Sequence, residues 1–145
     1  MGAVTALARS EYALSTGDAP AAGKAARAGR VYADKRNLVP FQDDFDLAEG
    51  EALLRSGELT GAAACLGRVI EAAHRRGTRR LLWRALGGIA AVYDAQGRRD
   101  EGRAAREEAA TVIDHIAASL RERGLEETFR AQPAVAEALG HVAAR

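Results

Sequence analysis

Histidine, cysteine and clustered carboxylates are the side chains that most often carry chemistry, and this chain holds few of them in useful arrangements. Its three histidines, His74, His115 and His141, stand far apart, none with another at i+3 or i+4, whereas zinc needs three or four convergent nitrogen, sulfur or oxygen ligands. Asp114 directly precedes His115, but successive residues of a helix point about 100° apart and cannot form an oriented acid–base pair. The lone Cys65 lies in an apolar stripe without a flanking base, which predicts a buried, inert thiol and not a nucleophile. Gly23-Lys24 lacks the preceding strand and glycine of a phosphate loop, and Gly87-Gly88 falls inside a helical pattern. These residues predict no catalytic centre, no metal and no cofactor.

Two charged features remain. Asp43, Asp44, Asp46, Glu49 and Glu51 form an acidic run, and Arg75, Arg76, Arg79 and Arg80 form a basic patch after His74. The run lacks the glycine and terminal Glu of a calcium loop. It is expected to supply a solvated face and complementary charges that steer neighbouring helices, each exposed pair contributing about 0–1 kcal/mol. The arginines alternatively meet an acidic partner or a phosphate. With 21 basic against 20 acidic residues the net charge is +1, too little for a general field on nucleic acid, so binding of nucleic acid through residues 74–80 is the weaker alternative. No apolar run approaches the roughly 20 residues of a membrane span, and no charged n-region precedes an apolar stretch. The expectation is a cytoplasmic protein without a membrane partner. All basic residues but Lys24 and Lys35 are arginine, which suggests a GC-rich bacterial genome.

The elements that must position these residues are helices. Aromatic residues make up only 5% of the chain, and alanine and leucine far outnumber the β-branched residues that favour sheets. Gly17, Gly57 and Gly97 recur at intervals of 40, in the frames Thr-Gly-Asp, Ser-Gly-Glu and Gln-Gly-Arg. Apolar residues spaced by three and four flank each of them: Leu47, Gly50, Leu53 and Leu54, then Ala62, Cys65, Leu66, Val69, Ile70 and Ala73, then Leu86, Ile89, Ala90 and Tyr93. That period places each set on one helix face. Each glycine can take the left-handed turn that closes a helix, and Asp18 can cap the next one, with Pro20 in its first turn. Asn37-Leu-Val-Pro40 and Arg76-Gly77-Thr78 read as connections. The chain is thus expected to be one all-α domain over 1–145, with hairpin units 3–38, 41–77 and 78–123 and a cap over 124–145. Leu125, Phe129, Val135 and Leu139 would anchor that cap.

These hairpins resemble the tetratricopeptide repeat (TPR) superfamily. The family's small residue in helix A, turn glycine and small residue early in helix B are matched by Ser10, Gly17 and Ala22, by Gly50, Gly57 and Ala62, and by Ala90, Gly97 and Gly102. Ala13, Leu53 and Tyr93 follow three residues after the first of each set. The repeat of 40 exceeds the family's usual length of about 34 residues. Longer repeats are similar to those in TPR-like regions of bacterial transcriptional activators and ATPase-linked regulators. The resemblance implies antiparallel hairpins stacked as a right-handed superhelix with C-terminal capping helices, acting as a non-catalytic interaction or regulatory module. It implies a concave groove for a peptide or helix, lined by Leu7, Glu11, Leu14, Asp44, Leu47, Glu51, Leu54, Arg55, Arg84, Gly87, Ala91 and Asp94. The pairs Leu7/Glu11, Leu47/Glu51 and Gly87/Ala91 stand where a chaperone-binding TPR grips a carboxylate, and none can donate to one. Leu47 and Leu54 could instead pack on neighbouring helices. A ligand- or peptide-sensing piece of a larger regulator is the alternative function, an enzyme or nucleic-acid binder on a helical scaffold a further one, and pairing of end hairpins into a homodimer stays open.

Overall fold

The computed structural model describes residues 2–140, which contain helices and turns and no strand. Eight α-helices follow one another among the described residues: α1 (Ala3–Ser15), α2 (Ala19–Lys35), α3 (Val39–Arg55), α4 (Leu59–Arg76), α5 (Leu82–Ala95), α6 (Arg99–Leu120), α7 (Glu126–Arg130) and α8 (Pro133–Ala138). A 3-10 turn, Arg121–Arg123, follows α6. The chain divides into two compact units, Met1–Ala72 and Ala73–Arg145, and the division falls inside α4. His141 and the end of the expected cap, 141–145, lie outside the described residues.

The repeat seen in the sequence is a repeat of hydrogen bonds. Gly17, Gly57 and Gly97 are all left-handed, with φ of 85°, 79° and 76°. In each turn the next residue's N–H reaches back five positions: Asp18 to the Ala13 carbonyl at 2.8 Å, Glu58 to Leu53 at 2.9 Å and Arg98 to Tyr93 at 2.8 Å. This closure satisfies carbonyls that a helix end would leave open. The carbonyls of Asp18, Glu58 and Arg98 then accept from Ala22, Ala62 and Gly102, opening the next helix. The Asp18 side chain caps α2 by accepting from the Ala21 N–H at 3.1 Å.

Between α2 and α3 the same closure uses Asn37 at φ 54°, with the Leu38 N–H on the Ala33 carbonyl at 2.9 Å. Asparagine tolerates this conformation better than most residues. The break expected at Asn37–Pro40 is shorter than its sequence suggests, because α3 begins at Val39. Pro40 sits in its first turn, where a missing N–H leaves no helical bond unmade.

In the first unit α2 packs on α1 and α3, and α1 also touches α3. Phe45 fills the space left by Gly29: a Cβ there would lie 2.1 Å from its ring. Around Phe45 gather Ala3, Ala6 and Ala33, with Leu7, Tyr32, Leu38 and Phe41 packed outside them. The small residues of the repeat mark close approaches within hairpins. The Ser10 hydroxyl donates to the Ala22 carbonyl at 2.9 Å, and a Cβ on Gly50 would meet Leu66 at 2.8 Å.

In the second unit α5 pairs with α6, and α7 and α8 fold back on that pair. A Cβ on Gly102 would lie 2.4 Å from the Asp94 carboxylate and 3.3 Å from the Ala90 carbonyl. Phe129 and Val135 are buried in the cap, and Leu139 is half-buried. Leu125 is exposed and so does not anchor it, a correction to its place in the apolar pattern.

Candidate functional site

The acidic run begins in α3, and its members meet different fates. Asp46 shares the face of Gly50 and Leu53, four and seven residues on, and is only 3% exposed. Arg30 of α2 and Arg68 of α4 converge on it: an Arg30 Nη1–H donates to Asp46 Oδ2, and Arg68 Nη2 donates to Oδ1 at 3.1 Å. Arg30 also donates to Asp34 at 2.8 Å. Burial alone would ease the proton off Arg30, but its bonds to Asp34 and Asp46 outweigh that and hold its pKa above the usual value. Its bond to Asp46 likewise raises Arg68. Nearby, Arg27 reaches Glu49 at 3.4 Å. Asp46 and Glu49 therefore tie α3 to α2.

Arg68 Nη2 also donates to Cys65 Sγ at 3.3 Å. Burial, helped by Glu49 and Asp46 and opposed by Arg68, pushes the Cys65 thiol up in pKa. A thiol held protonated and out of water is a poor nucleophile. Iodoacetamide should therefore label Cys65 of the native protein far more slowly than in denaturing urea, as followed by mass spectrometry. Equal labelling rates would show the thiol to be open.

The expected groove residues differ in burial and in partners within each unit. In the first unit, Arg55 Nη1 donates to the Leu14 carbonyl at 3.3 Å, which joins the C-terminal ends of α1 and α3. Leu7, Leu14, Asp44, Glu51 and Leu54 are half-buried and Glu11 is exposed. Leu47 is 2% exposed and offers a partner almost nothing, so the packing reading holds for it. In the second unit Arg84 is half-buried, and Asp94 pairs with Arg106 at 2.5 Å. Gly87 is covered from within the same unit, because a Cβ on it would lie 2.9 Å from Ala138 of α8. Arg75 and Arg76 end α4, Arg79 and Arg80 follow, and all four are exposed. His74 lies 2.9 Å from Glu108, and His115 is exposed.

Two features escaped the sequence. A cleft of about 360 Å³ in the first unit is lined by Pro20, Gly23 and Arg27 of α2, by Leu53 and Ser56 at the end of α3, and by Glu58. No sequence pattern marks it, since its lining joins residues of α2 with residues more than 20 positions further along the chain. The buried Asp46 did leave a signal, its spacing to Gly50 and Leu53, obscured by the acidic residues around it.

Among the described residues no group of His, Cys, Asp and Glu is arranged to hold a metal, and no helix is long and apolar enough to cross a membrane. Compared with known proteins, the chain matches no family model, no curated protein and no solved structure, and its functional reading rests on these residues.

Proposed function

We propose that the chain is a non-catalytic protein-interaction module of TPR-like helix hairpins that binds a peptide or helical segment of a partner. The observation that carries this reading is the repeated hairpin itself: three turns with the same hydrogen bonds, 40 residues apart, each beside a small residue at which the paired helices approach closely. Stacked hairpins of one design present side chains of their first helices at regular intervals, which suits an extended or helical ligand. In the first unit Arg55 ties the ends of α1 and α3 through the Leu14 carbonyl, which supports a site built on Glu11, Leu14, Leu54 and Arg55. Half-buried leucines beside a carboxylate and a guanidinium favour an amphipathic segment, its apolar side anchored and its charged flanks paired.

Panning a displayed library of short peptides against the full chain tests this reading. Amphipathic binders should be enriched. They should be lost when Leu54→Asp or, as a gentler surface change, Arg55→Glu is introduced, with helicity by circular dichroism unchanged. A library without enriched binders, or binders indifferent to both variants, would refute it.

A further inference from the structure

Several glycines inside these helices are required by a neighbour. A Cβ on Gly29 would strike Phe45, one on Gly50 would strike Leu66, and one on Gly102 would strike the Asp94 carboxylate. Gly23 of α2 is different. It has helical backbone and no positive φ, and a Cβ there would stand at ordinary contact distance, 3.5 Å from Arg27 Nη1 and 3.6 Å from the Ala52 Cβ. Alanine would fit at this position and would favour the helix. What the glycine does instead is keep low the floor of the cleft of about 360 Å³ that it lines with Arg27 and Ala52.

The walls of that cleft carry both charges. Arg27 stands one turn beyond Gly23 on the same face of α2. Glu49 holds it at 3.4 Å while its side chain stays 54% exposed, and a guanidinium has five N–H donors, enough to take a second carboxylate. Glu58 and the Ser56 hydroxyl line the same space, and Pro20 and Leu53 add apolar surface. A ligand of one charge is attracted by either Arg27 or Glu58 and repelled by the other, whereas a ligand that carries both charges is matched by both. The volume suits on the order of a dozen non-hydrogen atoms, at about 30 Å³ for each, the share of a water in the liquid.

We propose that this cleft binds a small zwitterion, an α-amino acid or dipeptide with a short apolar side chain. Its carboxylate is taken by Arg27, its ammonium by Glu58, and its apolar part lies over Gly23 against Pro20 and Leu53. The site does not rest on the interaction-module reading, and peptide capture at Leu54 and Arg55 stands or falls without it.

The probes are glycyl-leucine and leucine, titrated to millimolar concentration into the isotope-labelled full chain and followed by amide NMR. N-acetyl-leucine and leucinamide, each short of one charge, are the controls. Saturable shifts are expected at the amides of Gly23, Arg27, Leu53, Ser56 and Glu58, and the tighter of the two probes assigns the ligand as dipeptide or free amino acid. The controls should bind about tenfold or more weakly, the usual effect of losing a hydrogen bond between charged groups. Gly23→Ala should raise the midpoint of urea unfolding and yet weaken binding by a similar factor, a stabilised chain that has lost its site. Arg27→Gln, an exposed change, should abolish the preference for leucine over leucinamide. Absence of saturable shifts at these amides, equal binding of the controls, or a Gly23→Ala chain that binds as the parent does would overturn the proposal. An Arg27→Gln chain that keeps the preference would do the same, as would a lower urea midpoint for Gly23→Ala, which makes the glycine a packing requirement.

Discussion

Phe45→Ala should lower the stability of the first unit by about 3–5 kcal/mol, the usual loss when a fully buried aromatic is truncated. Phe45 has no exposed surface, and its ring is the centre of the cluster formed with Ala3, Ala6 and Ala33. Gly29 is the other half of the same contact. Since a Cβ there would stand 2.1 Å from the ring, Gly29→Ala forces either Phe45 out of its rotamer or α2 away from α3. Overpacking of this kind removes about 1–3 kcal/mol. Residues in contact do not act additively, so the double variant Gly29→Ala/Phe45→Ala should be more stable than the sum of the single losses implies, the new methyl group filling part of the vacated space. Urea unfolding followed by circular dichroism measures all three. Strict additivity would mean that glycine is present at position 29 for another reason.

Asp46→Ala should weaken the first unit by about 2–3 kcal/mol. Removing one member of a buried ion pair typically removes about 3–5 kcal/mol because the partner charges are left without compensation. Here the loss falls lower, because the side chain of Arg68 is 52% exposed and can turn to water, while that of Arg30, 29% exposed, keeps Asp34. Replacing the whole triad by apolar groups, Arg30→Met with Asp46→Leu and Arg68→Met, should restore most of the stability, since no buried charge is then unpaired. The comparison separates two roles. If the triad only stabilises, the apolar variant unfolds no more cooperatively or less cooperatively than the parent in proportion to its stability. If the charges select one register between α2, α3 and α4, that variant keeps its stability but loses chemical-shift dispersion in NMR spectra. A loss below about 0.5 kcal/mol for Asp46→Ala, the size of an ordinary surface change, would show that Asp46 is not an effective centre of charge in the fold.

The hairpins were legible because their signals are local. A glycine that must take positive φ, a carboxylate that can cap, and apolar residues at intervals of three and four act within one or two helical turns. Gly17, Gly57 and Gly97 accordingly behave as their spacing predicts, and Asp18 caps α2. The start of α3 was misplaced because a proline inside a helix and one in its first turn look alike in sequence, while only the latter fits the backbone of Val39–Arg55. Leu47 and Leu125 show the other limit. Both are leucines on a helical pattern, yet one is almost wholly buried and the other is exposed, because burial depends on which neighbour arrives opposite.

Which side chains meet across helices was not legible in the sequence. Helix periodicity places Leu14, Leu54 and Arg55 near the ends of their helices, and only the packing of α1 beside α3 brings Arg55 onto the Leu14 carbonyl. Gly87 was expected to face a ligand, and it faces Ala138. Sequence determined the helices, their closures and the positions where backbones could approach, since each follows from the conformational and hydrogen-bonding limits of a few adjacent residues. Tertiary structure alone decided that Asp46 is enclosed by Arg30 and Arg68, that Phe45 fills the space over Gly29, and that α8 covers Gly87. Those outcomes depend on contacts between residues 16 to 51 positions apart in the chain, where no local period can report which side chains will meet.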